Sequence, residues 1–275
     1  MPGDKAYLYV RQRRVLRRPR VEFAARLSAM YALSRTCILN LLWSCTEYDD
    51  DCGSFVFYSR VNMRLIAHRG WAAGGGENSL AAFARAARDD VVSGVEFDVC
   101  RAANSHTIVV SHDPPLDAQR VLTLDAALSF LSSTNLELFV EIKEEKLVLA
   151  VIEKLISNKL ADRSMVFAFA AIARSFPWEA ARQVRQGVIV MCPWNVDRFV
   201  RRYSPDVVLL GWDARNWTRI AFRSWWSLFS LERVAQRHQV PLVVGIAQHM
   251  GDLRWLSRQH LYGAVADVPL IRGLT

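Results

Sequence analysis

The sequence predicts an α/β protein of the (β/α)8 barrel class, preceded by an N-terminal extension. Three observations predict it. From Met63 onward, short apolar, β-branched runs alternate with helical stretches, the pattern of parallel strands joined by helical crossovers. About eight strand candidates fall within residues 63–275, the small end of the ~200–250 residues such barrels use. Ionisable residues also gather at the C-terminal ends of several apolar runs, the face on which such barrels build active sites. An open doubly wound sheet would place a GxGxxG or Walker turn after its first strand. Gly74-Gly75-Gly76 stands near that place with neither spacing.

Taken in order, 64–67 reads as a strand and 79–89 as a helix. Strands follow at 95–99 and 107–110, then a helix over 124–131. The next pairs are strand 136–142 with helix 147–158, and strand 165–169 with helix 178–186. Strands at 188–191 and 207–210 precede a segment, 215–229, in which Trp217, Phe222, Trp225, Trp226 and Phe229 crowd together with Arg219 and Arg223. It reads as an amphipathic helix packing aromatics on the barrel; an aromatic, basic lip touching a lipid-like substrate or a membrane is the less favoured alternative. Helix 231–238 with strand 242–246, and helix 253–259 with strand 263–266, complete the series.

Composition excludes several classes. The chain of 275 residues is 52% hydrophobic and 23% charged, with 13 Gly and 9 Pro, so it is neither disordered nor collagen-like. A mean hydropathy of +0.08, with no uncharged apolar run of 18 residues, argues against a multi-span membrane protein. Five Cys in a chain this long make no disulfide framework. Cys37, Cys45 and Cys52 lie in the extension, leaving Cys100 and Cys192 for the body, and a reduced, cytoplasmic protein is expected.

The extension, residues 1–62, is far more basic per residue than the body. It runs basic over 5–26, apolar over 36–45 and acidic over 49–51. That order resembles a signal or anchor segment, which would make the protein membrane-anchored or exported. The basic stretch is too long for that, however, and Arg35 interrupts the approach to a short apolar core. The favoured expectation is a disordered tail, or sequence upstream of a start at Met63. Arg11, Arg13, Arg14, Arg17, Arg18 and Arg20 cluster without a nucleic-acid-binding module around them, so no nucleic-acid partner is expected.

A buried parallel strand should read as continuous apolar residues, and four runs here end otherwise. They are Leu65-Ile-Ala-His68-Arg69-Gly70, Gly94-Val-Glu96-Phe-Asp98-Val99, Ile108-Val-Val-Ser-His112-Asp113 and Leu138-Phe-Val-Glu141-Ile-Lys143. Glu96 and Asp98 are two apart and share one side of their strand, as do Glu141 and Lys143. Three carboxylates converging at one mouth repel unless a cation sits among them. All-oxygen ligation suits Mg2+ or Ca2+. His68 and His112 would flank a substrate as acid and base, with Arg69 and Lys143 supplying charge for an anionic oxygen, phosphate above all. His106, His238, His249 and His260 read as ordinary satisfied polar residues.

These residues resemble the motifs of the glycerophosphodiester phosphodiesterase family. His68-Arg69-Gly70 followed by Glu77-Asn78-Ser79 and Ala82-Phe83 resembles its opening. Glu96-Phe-Asp98-Val99, His112-Asp113, Glu141-Ile-Lys143 and Ala266-Asp267-Val-Pro269 follow in the family's order. The resemblance implies a TIM barrel that uses a divalent metal to split glycerophosphodiesters into glycerol 3-phosphate and an alcohol. It implies Glu96, Asp98 and Glu141 as metal ligands, His68 and His112 as the acid–base pair, and Arg69 and Lys143 on the phosphate. His112 is the preferred acid. The substrate's own 2-hydroxyl is the implied nucleophile, passing through a cyclic phosphate.

Three departures bear on the substrate. Only about ten residues separate Asp113 from Thr123, which implies a more open mouth. Gly245-Ile-Ala-Gln248 replaces the family's Trp-Thr-Val-Asn, so an aromatic wall is lost unless Trp71 or Trp212 supplies it. Asn104-Ser105-His106 replaces an Asp-Gly turn. Two alternatives to the leading reading are phospholipase D-like action on lysophospholipid or sphingomyelin head groups, and a catalytically idle barrel that binds a phosphorylated ligand.

Overall fold

The structure is a computed structural model that describes residues 63–72, 76–178, 183–212 and 215–267. The extension, Gly74, Gly75 and Pro269 lie outside them, so the expectations for those positions rest on sequence alone.

The strands are β1 (Arg64–Ala67), β2 (Val92–Arg101), β3 (Ile108–Val110), β4 (Glu137–Ile142), β5 (Ser164–Phe169), β6 (Arg185–Val190), β7 (Val207–Leu210), β8 (Leu242–Ala247) and β9 (Gly263–Ala266). The helices are α1 (Leu80–Ala87), α2 (Leu124–Leu131), α3 (Val148–Ser157), α4 (Ala170–Ala173), α5 (Val196–Tyr203), α6 (Asn216–Phe229), α7 (Leu231–His238) and α8 (Met250–Leu256). Eight strands pair in parallel and close on themselves through β1–β9 and β1–β2. This is the (β/α)8 barrel that the alternation predicts.

Local chemistry sets several ends. Ser79 Oγ accepts from the Ala82 amide and caps α1, and Thr123 Oγ1 does the same for α2 through Ala126, each satisfying an amide with no partner inside its helix. Apolar residues on both strand faces give two cores. One lies between barrel and helices and holds Phe83, Phe97, Leu128, Val151 and Leu155. The other fills the barrel, with Ile66, Phe139, Met165, Phe167, Leu209 and Val243. At the N-terminal end of the strands, Glu137 accepts from Arg64 Nε (3.1 Å) and from the Tyr262 hydroxyl (2.8 Å), which itself accepts from Arg185 (2.7 Å). That network closes the floor, so the mouth lies at the other end.

Two expectations change, and one helix was not foreseen. The run 107–110 is no barrel strand: β3 pairs antiparallel with β2 through Val99–Val110 and Arg101–Ile108. The few residues between them are too short for a parallel crossover, which needs a dozen or more. Of the helix expected over 178–186, residues 179–182 lie outside the described ones, and the positions on either side of them are not helical. Trp178 sits in a turn and β6 already begins at Arg185, where Arg185 reaches Tyr262 and the Gln186 amide donates to Asp206 at 2.8 Å. The sequence reading also did not anticipate α5, a basic helix that buries only Val196 and Val200.

The aromatic segment forms α6, as expected. Phe222 and Trp226 are buried, packing on Trp255 of α8 with ring centroids at 6.5 and 5.6 Å. Arg219 and Arg223 reach the buried Asp252 at 3.5 and 3.7 Å. Trp217, Ile220, Leu228 and Phe229 remain exposed, so the packing reading holds for one face of the helix only.

Candidate active site

The turn after β1 begins the site. Arg69 and Gly70 both take positive φ, 51° and 78°. At Gly70 a side chain would be strained by that backbone, and its Cβ would stand 2.7 Å from Phe83 and 2.9 Å from Ala82. The tight turn aims the Arg69 amide at Glu96 Oε2 (3.0 Å) and sets its guanidinium Nε 2.9 Å from Asp98 Oδ2 as an ion pair. Arg69 Nη1 also donates to Glu77 at 2.9 Å.

Strands β2 and β4 supply the acids. Their register places Asp98 beside Glu141, with Glu96 one pleat below. Carboxylate oxygens of Glu96, Asp98 and Glu141 all lie within 4.8 Å of one another. Lys143, just past β4, donates to Glu141 at 2.6 Å and lies 2.8 Å from Asp98 Oδ1. Asn78, itself buried, donates to Asp98 Oδ2 at 3.0 Å.

The acids differ in electrostatics. Burial, then the charge of Asp98, pushes the Glu96 carboxyl up to about 8. Burial also opposes ionisation of Asp98, but Lys143, Asn78 and Arg69 outweigh it and hold that carboxyl below its usual range. Burial raises Glu141, and Lys143 offsets this only in part. Lys143 itself stays firmly charged, since Glu141 and Asp98 overcome its burial. Three close acids, two buried and one half-buried, of which Glu96 and Glu141 resist ionisation while Asp98 is held charged, fit an oxygen-ligated divalent ion.

The histidines face this cluster from two sides. His68 follows β1 directly. Its Nδ1 lies 2.9 Å from Asp267 Oδ1, and its Nε2 stands 3.9 Å from Glu96 Oε2. Burial lowers its affinity for a proton, yet the bond to Asp267 and the charge of Glu96 prevail, so its pKa is raised. His112 sits in the loop after β3, a placement the sequence reading assigned to a barrel strand. Its Nδ1 is 3.1 Å from the exposed Asp113, and its side chain is half-exposed.

One cavity of about 240 Å³ unites these groups. Of the seven residues expected in the site, His68, Arg69, Glu96, His112, Glu141 and Lys143 line it, while Asp98 lies beneath. Of the two tryptophans considered for an aromatic wall, Trp212 lines the cavity, whereas Trp71 is buried and takes no part in the lining. Two contributors were missed. Asp267 was seen only as part of a closing motif, and Asn78 only as part of an opening one. His238 is, as expected, a satisfied structural residue, 2.8 Å from Asp197.

No model of a known protein family matches the sequence, and no curated protein does. Solved structures do resemble the fold. A glycerophosphodiester phosphodiesterase from Parabacteroides distasonis is similar with a TM-score of 0.61 and 16% identity, over 78% of this chain and 97% of that one. One from Agrobacterium tumefaciens gives 0.60 and 14%, over 78% and 100%. An Oleispira antarctica phosphodiesterase in complex with its product sn-glycerol-3-phosphate gives 0.58 and 18%, over 79% and 98%. The barrel from β1 to β9 is thus a fold these phosphodiesterases share.

Proposed function

We propose that this chain is a metal-assisted phosphodiesterase of the glycerophosphodiester family, releasing glycerol 3-phosphate and an alcohol. The convergence of Glu96, Asp98 and Glu141 with two histidines and two cations on one cavity carries this reading. The motif order and the shared fold support it. A Mg2+ or Ca2+ ion held by the three carboxylates would draw charge from the phosphoryl oxygens.

This chain's own residues do the rest. Asp267 accepts the Nδ1 proton of His68, which fixes the ring and leaves Nε2 free as a base for the glycerol 2-hydroxyl. His112, half-exposed at the open side of the mouth, is placed to protonate the departing alcohol. Arg69 and Lys143 neutralise the phosphoryl group as it gains charge. An attacking hydroxyl within the substrate removes the entropy of recruiting water for the first step.

The test is glycerol 3-phosphate release from glycerophosphocholine and glycerophosphoethanolamine by the full chain, with Mg2+ or Ca2+ and with EDTA, beside His68→Ala and His112→Ala. Release that stops with EDTA and with either variant is expected. A folded, metal-supplied protein that releases nothing would overturn this reading in favour of a different phosphodiester or a barrel that only binds.

A further inference from the structure

Helix α6 is built inside out. A helix on a globular protein turns its apolar stripe to the core and its charges to water. The only two charged residues of α6, Arg219 and Arg223, turn inward instead, where they reach the buried Asp252 at 3.5 and 3.7 Å. The outward face holds Trp217, Ile220, Ala221, Ser224 and Leu228, three or four positions apart and so on one stripe. Trp217 is 62% exposed, Ile220 50% and Leu228 69%.

The apolar surface continues beyond the stripe. Trp225 stacks on Phe229 at 4.1 Å and meets Trp194 edge-on at 5.3 Å. Trp194 and Phe229 are themselves 59% and 51% exposed. Large side chains of this kind cover ~150–250 Å² when buried, so the exposed parts of these five residues amount to about 600 Å². That is the upper end of the ~300–600 Å² that the largest apolar patch reaches on an ordinary monomer. With the smaller residues between them, it approaches the ~800 Å² that each partner of a stable complex buries. The composition agrees. Arg215 lies over the Trp217 ring at 5.3 Å, and α6 holds no carboxylate. Aromatic residues with arginine and without acids are the make-up of a protein interface core.

The stripe also fits itself. Its ends are large, Trp217 with Ile220 at one and Leu228 at the other, and its middle is small, Ala221 and Ser224. Two such helices laid antiparallel about a two-fold axis bring the small residues together at the crossing, and each Trp217 over the other's Leu228. We propose that this chain pairs with a second copy of itself through the outward face of α6, in that antiparallel arrangement. A lipid surface suits the face less well, because interfacial helices carry Lys and Arg along their polar side, and α6 commits both of its arginines to Asp252. The pairing also braces the site. On its inner side α6 sets Phe222 against Trp212 at 5.2 Å, and Trp212 lines the catalytic cavity.

The test is sedimentation of the full chain from nanomolar to micromolar concentrations, which separates a monomer of 31.3 kDa from its dimer. A dimer is expected. Trp217→Glu and Leu228→Lys, both at exposed positions, are each expected to raise its Kd at least about 100-fold, because the two-fold axis counts every substitution twice. Their helical circular dichroism should stay unchanged. The two positions are about 16 Å apart along one helix, too far to pair within a chain, but they meet across the axis. The double variant is therefore expected to bind at least about tenfold more tightly than either single one. A full chain that stays monomeric throughout overturns the inference. So does a dimer that neither variant weakens, or a double variant no tighter than the single ones. A monomer that floats with phosphatidylcholine–phosphatidylserine vesicles, and no longer does so as Trp217→Glu, overturns it in favour of a lipid surface. None of these outcomes bears on the phosphodiesterase reading.

Discussion

Replacing Asp267 by Asn should uncouple His68 from the carboxylate that meets its Nδ1 while preserving the shape of the site. Asp267 Oδ1 lies 2.9 Å from His68 Nδ1, with the imidazole 14% and the carboxylate 41% exposed. At such a separation a charge pair is worth about 6 kcal/mol in a surface-like medium and about 1.4 kcal/mol in water. The exposure of Asp267 places this pair near the lower end, about 1–2 kcal/mol. His68 has a raised pKa in the folded state. Its contribution is therefore fully present below the unfolded value of about 6.5 and lost as pH rises through the folded value. Asp267→Asn should accordingly lower Tm by roughly 2–8 °C at pH 5.5, and by clearly less at pH 9. NMR titration of the ring nitrogens should show the pKa of His68 falling in the variant. Loss of the fixed tautomer should reduce kcat/KM by about 10²-fold or more. A Tm difference independent of pH, together with an unmoved His68 titration, would refute the coupling.

Two further outcomes follow from the same geometry. Gly70→Ala meets both a left-handed backbone and a Cβ 2.7 Å from Phe83; it should cost about 2–4 kcal/mol, read as a lowered denaturant midpoint with unchanged slope. Glu96, pushed up to about 8, favours the folded state while protonated, so metal-free protein should lose stability as pH rises from about 4.5 to 8. Adding Ca2+ or Mg2+ at pH 7 should restore it and release about one proton, measurable by calorimetry in two buffers of different ionisation enthalpy, and Glu96→Gln should abolish the release.

How far the sequence reveals the fold depends on burial. Val207–Leu210 and Gly263–Ala266 are buried at every position, so continuous apolar runs mark them without ambiguity. Arg185 opens a strand with a polar side chain because it is tied to Tyr262, distant in sequence, while Asp206 accepts from the Gln186 backbone amide, and no local pattern reports that. The α5 helix escaped notice since two buried valines make too thin a stripe. The acids and both histidines were legible because ionisable groups at strand ends contradict the hydrophobic pattern around them. Asp267 follows an apolar run just as His68 does, but a lone carboxylate at a strand end names no partner. Only barrel closure, which sets β9 beside β1, brings it to His68, although the alternation of strands and helices already implied that the two ends meet. The hairpin position of His112 was also readable, from a connection too short to cross over.

The cavity lining is divided between polar and apolar strands, and this has a consequence for how such a protein changes over time. Apart from Asp267, every group assigned to bond breaking falls between His68 and Lys143, whereas the wall facing them lies between Phe167 and Ile246. The two sets lie on different strands, and each strand is anchored by its own neighbours in the sheet. Substitutions on β5 to β8 can therefore reshape what fits beside the phosphate without disturbing how the acids and histidines are held. A lineage can vary the range of groups that fit beside the phosphate through small steps confined to that half of the mouth. A laboratory library confined to the rim positions 169, 191 and 212 should sample the same range while leaving the barrel's floor and its polar half untouched.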